Sequence, residues 1–187
     1  MLLFSCGPSP QSSPQKETVS IELVVQKDGL AYAKESATPY SGEVVGFTSN
    51  LTRTSTETYQ NGKRHGASLR FWSDGRPKRE ECYEFGSKVS DRQWYEDGVL
   101  KSEAKIKNGV GIGRINLWWP DGRIRRTSWI GSNRKLHGHA LEYDEQGLVL
   151  TDAIFHHGEY VSGKLRSDPA AKVTTNQASP DVTAPLR

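Results

Sequence analysis

A short pattern recurs four times in the middle of this chain: Phe71-Trp72-Ser73-Asp74-Gly75, Trp94-Tyr95-Glu96-Asp97-Gly98, Trp118-Trp119-Pro120-Asp121-Gly122, and a looser Tyr143-Asp144-Glu145-Gln146-Gly147. The closing glycines stand at 75, 98, 122 and 147, a step of 23 to 25 residues, and the leading residues keep that step. A period of this size marks a repeat architecture, because a unit so short cannot bury its own apolar face and must stack on its neighbours. It also commits most ordered residues to repeating one scaffold. A single convergent catalytic site, and hence an enzyme, is not expected.

A second turn lies between successive glycines. Asn61-Gly62-Lys63-Arg64-His65-Gly66 reappears as Asn108-Gly109-Val110-Gly111-Ile112-Gly113 and as Asn133-Arg134-Lys135-Leu136-His137-Gly138, with a weaker copy at Phe85-Gly86-Ser87-Lys88-Val89-Ser90. Asn-Gly and Asp-Gly supply the positive φ angles of tight chain reversals. Turns are therefore expected at Gly62, Gly75, Gly86, Gly98, Gly109, Gly122, Gly147 and Gly158, with Arg134 making its own turn irregular. Two reversals per unit make each repeat a β-hairpin, with strands of about six residues, or roughly 20 Å. No stretch keeps a helical period. The predicted fold is all-β, an elongated antiparallel sheet of repeated hairpins forming an open twisted ribbon of ten to twelve strands.

The Asn-Gly-Lys-x-x-Gly turn, the paired aromatics and the Asp-Gly turn resemble the MORN repeat, and more closely the bacterial variant found in YwqK-family antitoxins. An opening segment, Asp28-Gly29-Leu30-Ala31-Tyr32 through Pro39-Tyr40-Ser41-Gly42-Glu43-Val44, looks like that family's first hairpin. The resemblance spans residues 21–163, and departs at Ser90, Arg134 and Asp144. It implies a non-enzymatic scaffold that binds another protein, a toxin in the antitoxin version, with no cofactor.

Composition agrees with a water-exposed sheet: 34% apolar, 25% charged, 18 glycines and a mean hydropathy of −0.68. Aromatics must then carry much of the burial. Residues 7–20 and 164–187 are polar and proline-bearing and read as tethers, leaving one repeat domain at 21–163 between a segment 1–20 and a tail 164–187. No apolar run is long enough for a transmembrane helix. Leu3-Phe4-Ser5-Cys6 is similar to the lipobox of bacterial lipoproteins, which makes Cys6 a candidate lipid attachment site and the cell envelope the expected location, the cytoplasm being the alternative. Only five residues precede Cys6, so this reading requires a start further upstream. Lipidated Cys6 would be the sole membrane contact, and Cys82 would then stand alone.

Chemistry is sparse. No Ser/His/Asp set or nucleophile elbow is recognisable. His65 and His137 occupy the same slot in different repeats. His137, His139, His156 and His157 lie closer together, but no cysteine or carboxylate stands at ligand spacing with them, so no metal site is expected. Gly109 to Gly113 reads as a hairpin turn, not a phosphate loop. Arg123, Arg125, Arg126, Arg134 and Lys135 cluster beside Trp129, yet the net charge is only +3 (25 basic, 22 acidic) and no nucleic-acid partner is expected. Strand alternation places Phe71, Trp94, Trp118 and Tyr143 on one packed face and Trp72, Tyr95 and Trp119 on the other, as a candidate interaction strip.

Overall fold

The computed structural model describes residues 18–107 and 110–166. Fourteen strands follow one another with a single 3-10 turn at Ile21–Leu23 and no α-helix among the described residues. They are β1 (Thr18–Ser20), β2 (Val24–Lys27), β3 (Leu30–Ala33), β4 (Gly42–Phe47), β5 (Arg53–Gln60), β6 (Lys63–Phe71), β7 (Pro77–Glu84), β8 (Ser87–Trp94), β9 (Leu100–Lys107), β10 (Val110–Trp118), β11 (Ile124–Ile130), β12 (Gly138–Tyr143), β13 (Val149–His156) and β14 (Glu159–Lys164). Twelve of them hydrogen-bond in the order β1-β4-β5-β6-β7-β8-β9-β10-β11-β12-β13-β14, and β2 and β3 make a separate two-stranded sheet. The all-β fold of successive antiparallel hairpins is as the turn pattern predicts. By compactness the chain divides into two units, Met1–Val89 and Ser90–Arg187.

Two details of the start differ from the sequence reading. Thr18, Val19 and Ser20 form a strand, parallel to β4, inside a stretch that reads as linker. The Asp28-Gly29 hairpin does not extend the large sheet. Instead it docks on the Asn61-Gly62 turn: Ala31 N–H donates to Gly62 O, Gly62 N–H to Tyr40 O and Tyr40 N–H to Ala31 O, each at 2.8 Å. Gly62 is needed there twice over, because its φ is +75° and a Cβ would lie 2.9 Å from Leu30 Cβ and 3.0 Å from Pro39 Cβ.

The turns fall into two classes. Asp28-Gly29, Asn61-Gly62, Phe85-Gly86 and His157-Gly158 have positive φ at both residues, the geometry of two-residue type I′ loops that match strand twist. At the aromatic turns only the glycine is left-handed. Trp72 N–H donates to Arg76 O at 2.8 Å and Gly75 N–H to Trp72 O at 3.0 Å, the same bonds recurring at Tyr95/Gly98, Trp119/Gly122 and Asp144/Gly147. This is a type I turn closed by a left-handed residue, with a bulge beside it: the register slips between Arg70 and Phe71, Gln93 and Trp94, Leu117 and Trp118, and Glu142 and Tyr143. Thr48 to Thr52 makes the same turn with Leu51 in the glycine place at φ +60°, a further copy 24 residues before Gly75. Gly131 to Lys135 makes it again, with Arg134 at φ +66°. The irregular turn expected at Arg134 is thus a change of turn class. Gly109 lies outside the described residues.

The first unit packs Ala31, Tyr40, Val44 and Tyr59 into one cluster, with Val19, Val24 and Ala33 against it. Farther along, its central register row runs Val44, Glu57, Ser68, Glu81, all buried. The second unit has two apolar clusters, Ala104/Ile106/Ile115/Ile130 and Ala140/Ala153/Phe155, and Leu136 packs against both.

Candidate functional site

Three of the aromatic turns present a ring with a cation over it. Lys78 Nζ lies 4.4 Å from the Trp72 ring centre, Lys101 Nζ 5.5 Å from that of Tyr95, and Arg125 Cζ 4.7 Å from that of Trp119. The spacing is six residues in all three copies, because the aromatic opens the turn and the cation stands on the returning strand. Such contacts contribute about 0.5–1 kcal/mol each where water reaches them. Asp74, Asp97 and Asp121 fix the same turns: each Oδ1 accepts the N–H two residues on, at 2.9, 3.0 and 2.9 Å. Arg76 and Arg123, through their side-chain and backbone hydrogen bonds, hold the Asp74 and Asp121 carboxyls below the ordinary carboxylate value. In the fourth copy Asp144, in the aromatic place, accepts from Gln146 N–H and Leu148 N–H.

The strip read from alternation is therefore present as residues but not as a bare face. Trp72, Tyr95 and Trp119 are half-buried, and so are Phe71, Trp94, Trp118 and Tyr143. A register slip falls at the first aromatic of each copy. The indole N–H groups of Trp72 and Trp119 are buried without a hydrogen-bond partner. The Tyr95 hydroxyl donates to Trp118 O at 2.9 Å, and burial pushes its pKa up.

Two grooves meet at Tyr143 in the second unit. One, of about 520 Å³, is lined by Arg114, Asn116, Ile124, Thr127 and Tyr143. The other, of about 260 Å³, is lined by Trp119, Arg125, Glu142, Tyr143, Asp144 and Arg166. The basic cluster of the sequence is largely engaged here: Arg123 pairs with Asp121 at 2.6 Å and donates to Glu145 O, Arg125 lies over Trp119, and Arg134 forms a turn. Trp129 remains 47% exposed.

The first unit holds a charged network on its buried row. Arg64 reaches both carboxylate oxygens of buried Glu57 at 3.1 Å, and the Tyr59 hydroxyl donates to the same carboxylate at 2.7 Å. Burial pushes the Tyr59 phenol up, against the pull of Arg64. Burial also works to lower the Arg64 guanidinium, but its hydrogen bond to Tyr59 and the charge of Glu57 hold it above its ordinary value. Glu81, on the same row, pairs with Lys88 at 3.0 Å and Arg79 at 3.3 Å.

Histidines meet at the other hairpin ends. His65 packs on Phe85, ring centres 4.7 Å apart. His137 packs on His156 and His157 at 5.1 and 5.2 Å, with 4.2 Å between the last two. His139 is separate and pairs with Asp152 at 2.5 Å. The sequence reading grouped His137, His156 and His157 with His139 and gave no contact among them, although a spacing was available to find one. Ser41 touches Asn61, His65 touches Phe85 and His137 touches His157, each pair 20 residues apart across one turn.

Cys82 is buried within β7. Cys6 lies outside the described residues. No helix among the described residues is long and apolar enough to cross a membrane. The chain matches no known family model and, at a significant level, no curated protein.

Proposed function

We propose that this chain is a non-enzymatic repeat scaffold that binds a protein partner, in the manner of the YwqK-family antitoxins that its turns resemble. The observation that carries the reading is the aromatic–cation couplet repeated at Trp72/Lys78, Tyr95/Lys101 and Trp119/Arg125. A ring with a cation 4.4 to 5.5 Å from its centre offers an apolar surface with a positive rim, which suits a partner segment mixing carboxylates with apolar side chains. Trp119/Arg125 opens on a groove that can accept such a segment. In the antitoxin version the partner is a toxin.

The test is affinity capture from the source cell with the full chain, beside a Trp119→Ala, Arg125→Ala variant. The expected result is one dominant protein held by the wild type and lost from the variant, while the melting temperatures stay within a few degrees. Equal capture by both would remove the couplet from the interface.

Leu3-Phe4-Ser5-Cys6 supports a second reading, an envelope lipoprotein with a structural or surface-binding role. Acyl chains contribute about 0.8 kcal/mol per buried methylene, and two anchor a protein stably. Expressed from its genomic start, the protein should sediment with membranes, and Cys6→Ser should release it. A wild-type product found wholly in the soluble fraction would favour the cytoplasmic alternative.

A further inference from the structure

We propose that His137, His156 and His157 form a binding site for a divalent transition-metal ion, zinc in the first place, with its remaining coordination open to solvent. One ring nitrogen of each histidine lies within 4.8 Å of the others. Tetrahedral zinc at about 2.0–2.1 Å from nitrogen needs ligand atoms about 3.3 Å apart. The rings must close by roughly 1.5 Å, a side-chain rotation open to His156 and His157 because both are exposed.

The backbone already supports the arrangement. Gly158 N–H donates to Leu136 O at 2.7 Å and His137 N–H to Trp129 O at 2.8 Å, which fastens the His157-Gly158 turn against the segment carrying His137. His157 sits at φ +50°, and Asn133 Nδ2 lies 3.0 Å from its Nδ1, so the ring has a polar neighbour that orients it.

A comparison within the molecule points to a ligand. At the equivalent turns the side chain in the His137 place is hydrogen-bonded: Ser41 Oγ accepts Asn61 N–H at 2.8 Å, and His65 Nδ1 accepts Phe85 N–H at 3.4 Å. His137 Nδ1 is buried and has no partner. A buried polar atom without a partner is uncommon, and here two further imidazoles converge on the same ring. Neutral imidazole favours zinc, copper and nickel over calcium or magnesium, and the three positions include no carboxylate. Three protein ligands with an open position can also take a water or an anionic group from a partner. The site does not depend on the protein-binding reading above.

The experiment is calorimetric titration of the tag-free full chain with zinc chloride, followed by thermal unfolding with and without the ion. The wild type should take up one ion at this site, and its melting temperature should rise with zinc concentration. His156→Ala and His157→Asn, both at exposed positions and the second able to keep a left-handed turn, should each weaken binding by more than about a hundredfold, beyond the roughly 10–100-fold typical of outer-shell partners. His65→Ala and His139→Ala should change neither affinity nor the zinc-dependent shift. Binding that survives in the His156→Ala, His157→Asn double variant overturns the site, as does a wild type that takes up no zinc at millimolar concentration. If His137→Ala fails to fold, the two exposed variants still decide the matter.

Discussion

The buried register rows of the two units differ in how far charge enters them. In the first the row runs Val44, Glu57, Ser68, Glu81, and its carboxylates are held by Arg64, Lys88 and Arg79. In the second it runs Asp91, Ala104, Ile115, Ser128, polar at its two ends and apolar at its centre, where Ile106 and Ile130 pack beside it. Both rows are buried. A repeat therefore specifies the backbone path through its turns and leaves the interior position free to be ionic or apolar, provided that any charge brought inside is paired. The apolar centre of the second row gains directly from burial. The ionic row gains less, because desolvation of both partners offsets most of their attraction, and its strength lies in what happens when one partner is removed.

Truncating that apolar centre should have the largest effect. Ile115→Ala removes a buried side chain from the centre of its cluster and should lower unfolding free energy by about 2–5 kcal/mol, read by chemical denaturation. Next is Arg64→Ala, which strands the Glu57 carboxylate with only Tyr59 as donor. A fully buried pair broken in this way loses about 3–5 kcal/mol; with the Arg64 side chain 37% exposed, water reaches it and about 2 kcal/mol is expected. Pairing Arg64→Leu with Glu57→Leu should recover most of that loss. Failure to recover it would mean that the ionic row does more than fill space, and the comparison would need a specificity role for the charges.

Most of the turn grammar was legible. Asn61-Gly62 and the Asp-Gly turns announce themselves because few residues tolerate positive φ, and they locate the hairpins correctly. One turn was obscured by its residue, since Leu51 occupies a left-handed place with a side chain that gives no such signal; the turn at Arg134 was expected, and only its class was not legible. The parallel pairing of Thr18–Ser20 was not legible, since three residues carry no periodicity. Nor was the shared half-burial of both aromatic columns, because alternation assigns side chains to faces and does not say what covers each face. The histidine convergence hides for a different reason. It joins two turns of consecutive hairpins, so it appears only when residues 20 apart are compared, whereas motif reading looks within one turn.

The turns at Leu51 and Arg134 offer a gain in both units. A non-glycine residue in the left-handed region is strained by about 1–2 kcal/mol, part of which glycine returns as greater unfolded-state entropy. Leu51→Gly and Arg134→Gly should each raise stability by roughly 0.5–1 kcal/mol. Equal gains would show that turn geometry is indifferent to whether the row behind it is ionic or apolar. A gain at Leu51 alone would mark the Arg134 side chain as contributing to the second unit.

The smallest effect separates the units by pH. Burial, opposed by the Arg64 hydrogen bond, raises the Tyr59 phenol above its ordinary 10.0, so between those two values the folded chain keeps a proton that the unfolded chain releases. The unfolded state then binds fewer protons, and stability falls as pH rises. The contribution is fully present below about pH 10 and is lost as pH climbs through the folded-state value. Tyr95 in the second unit is raised by burial too, but Tyr95 is half-buried where Tyr59 is 7% exposed. Tyr59→Phe should therefore flatten the alkaline fall in melting temperature more than Tyr95→Phe does. The reverse order would place the alkali-sensitive phenol in the second unit and detach the pH response from the ionic row.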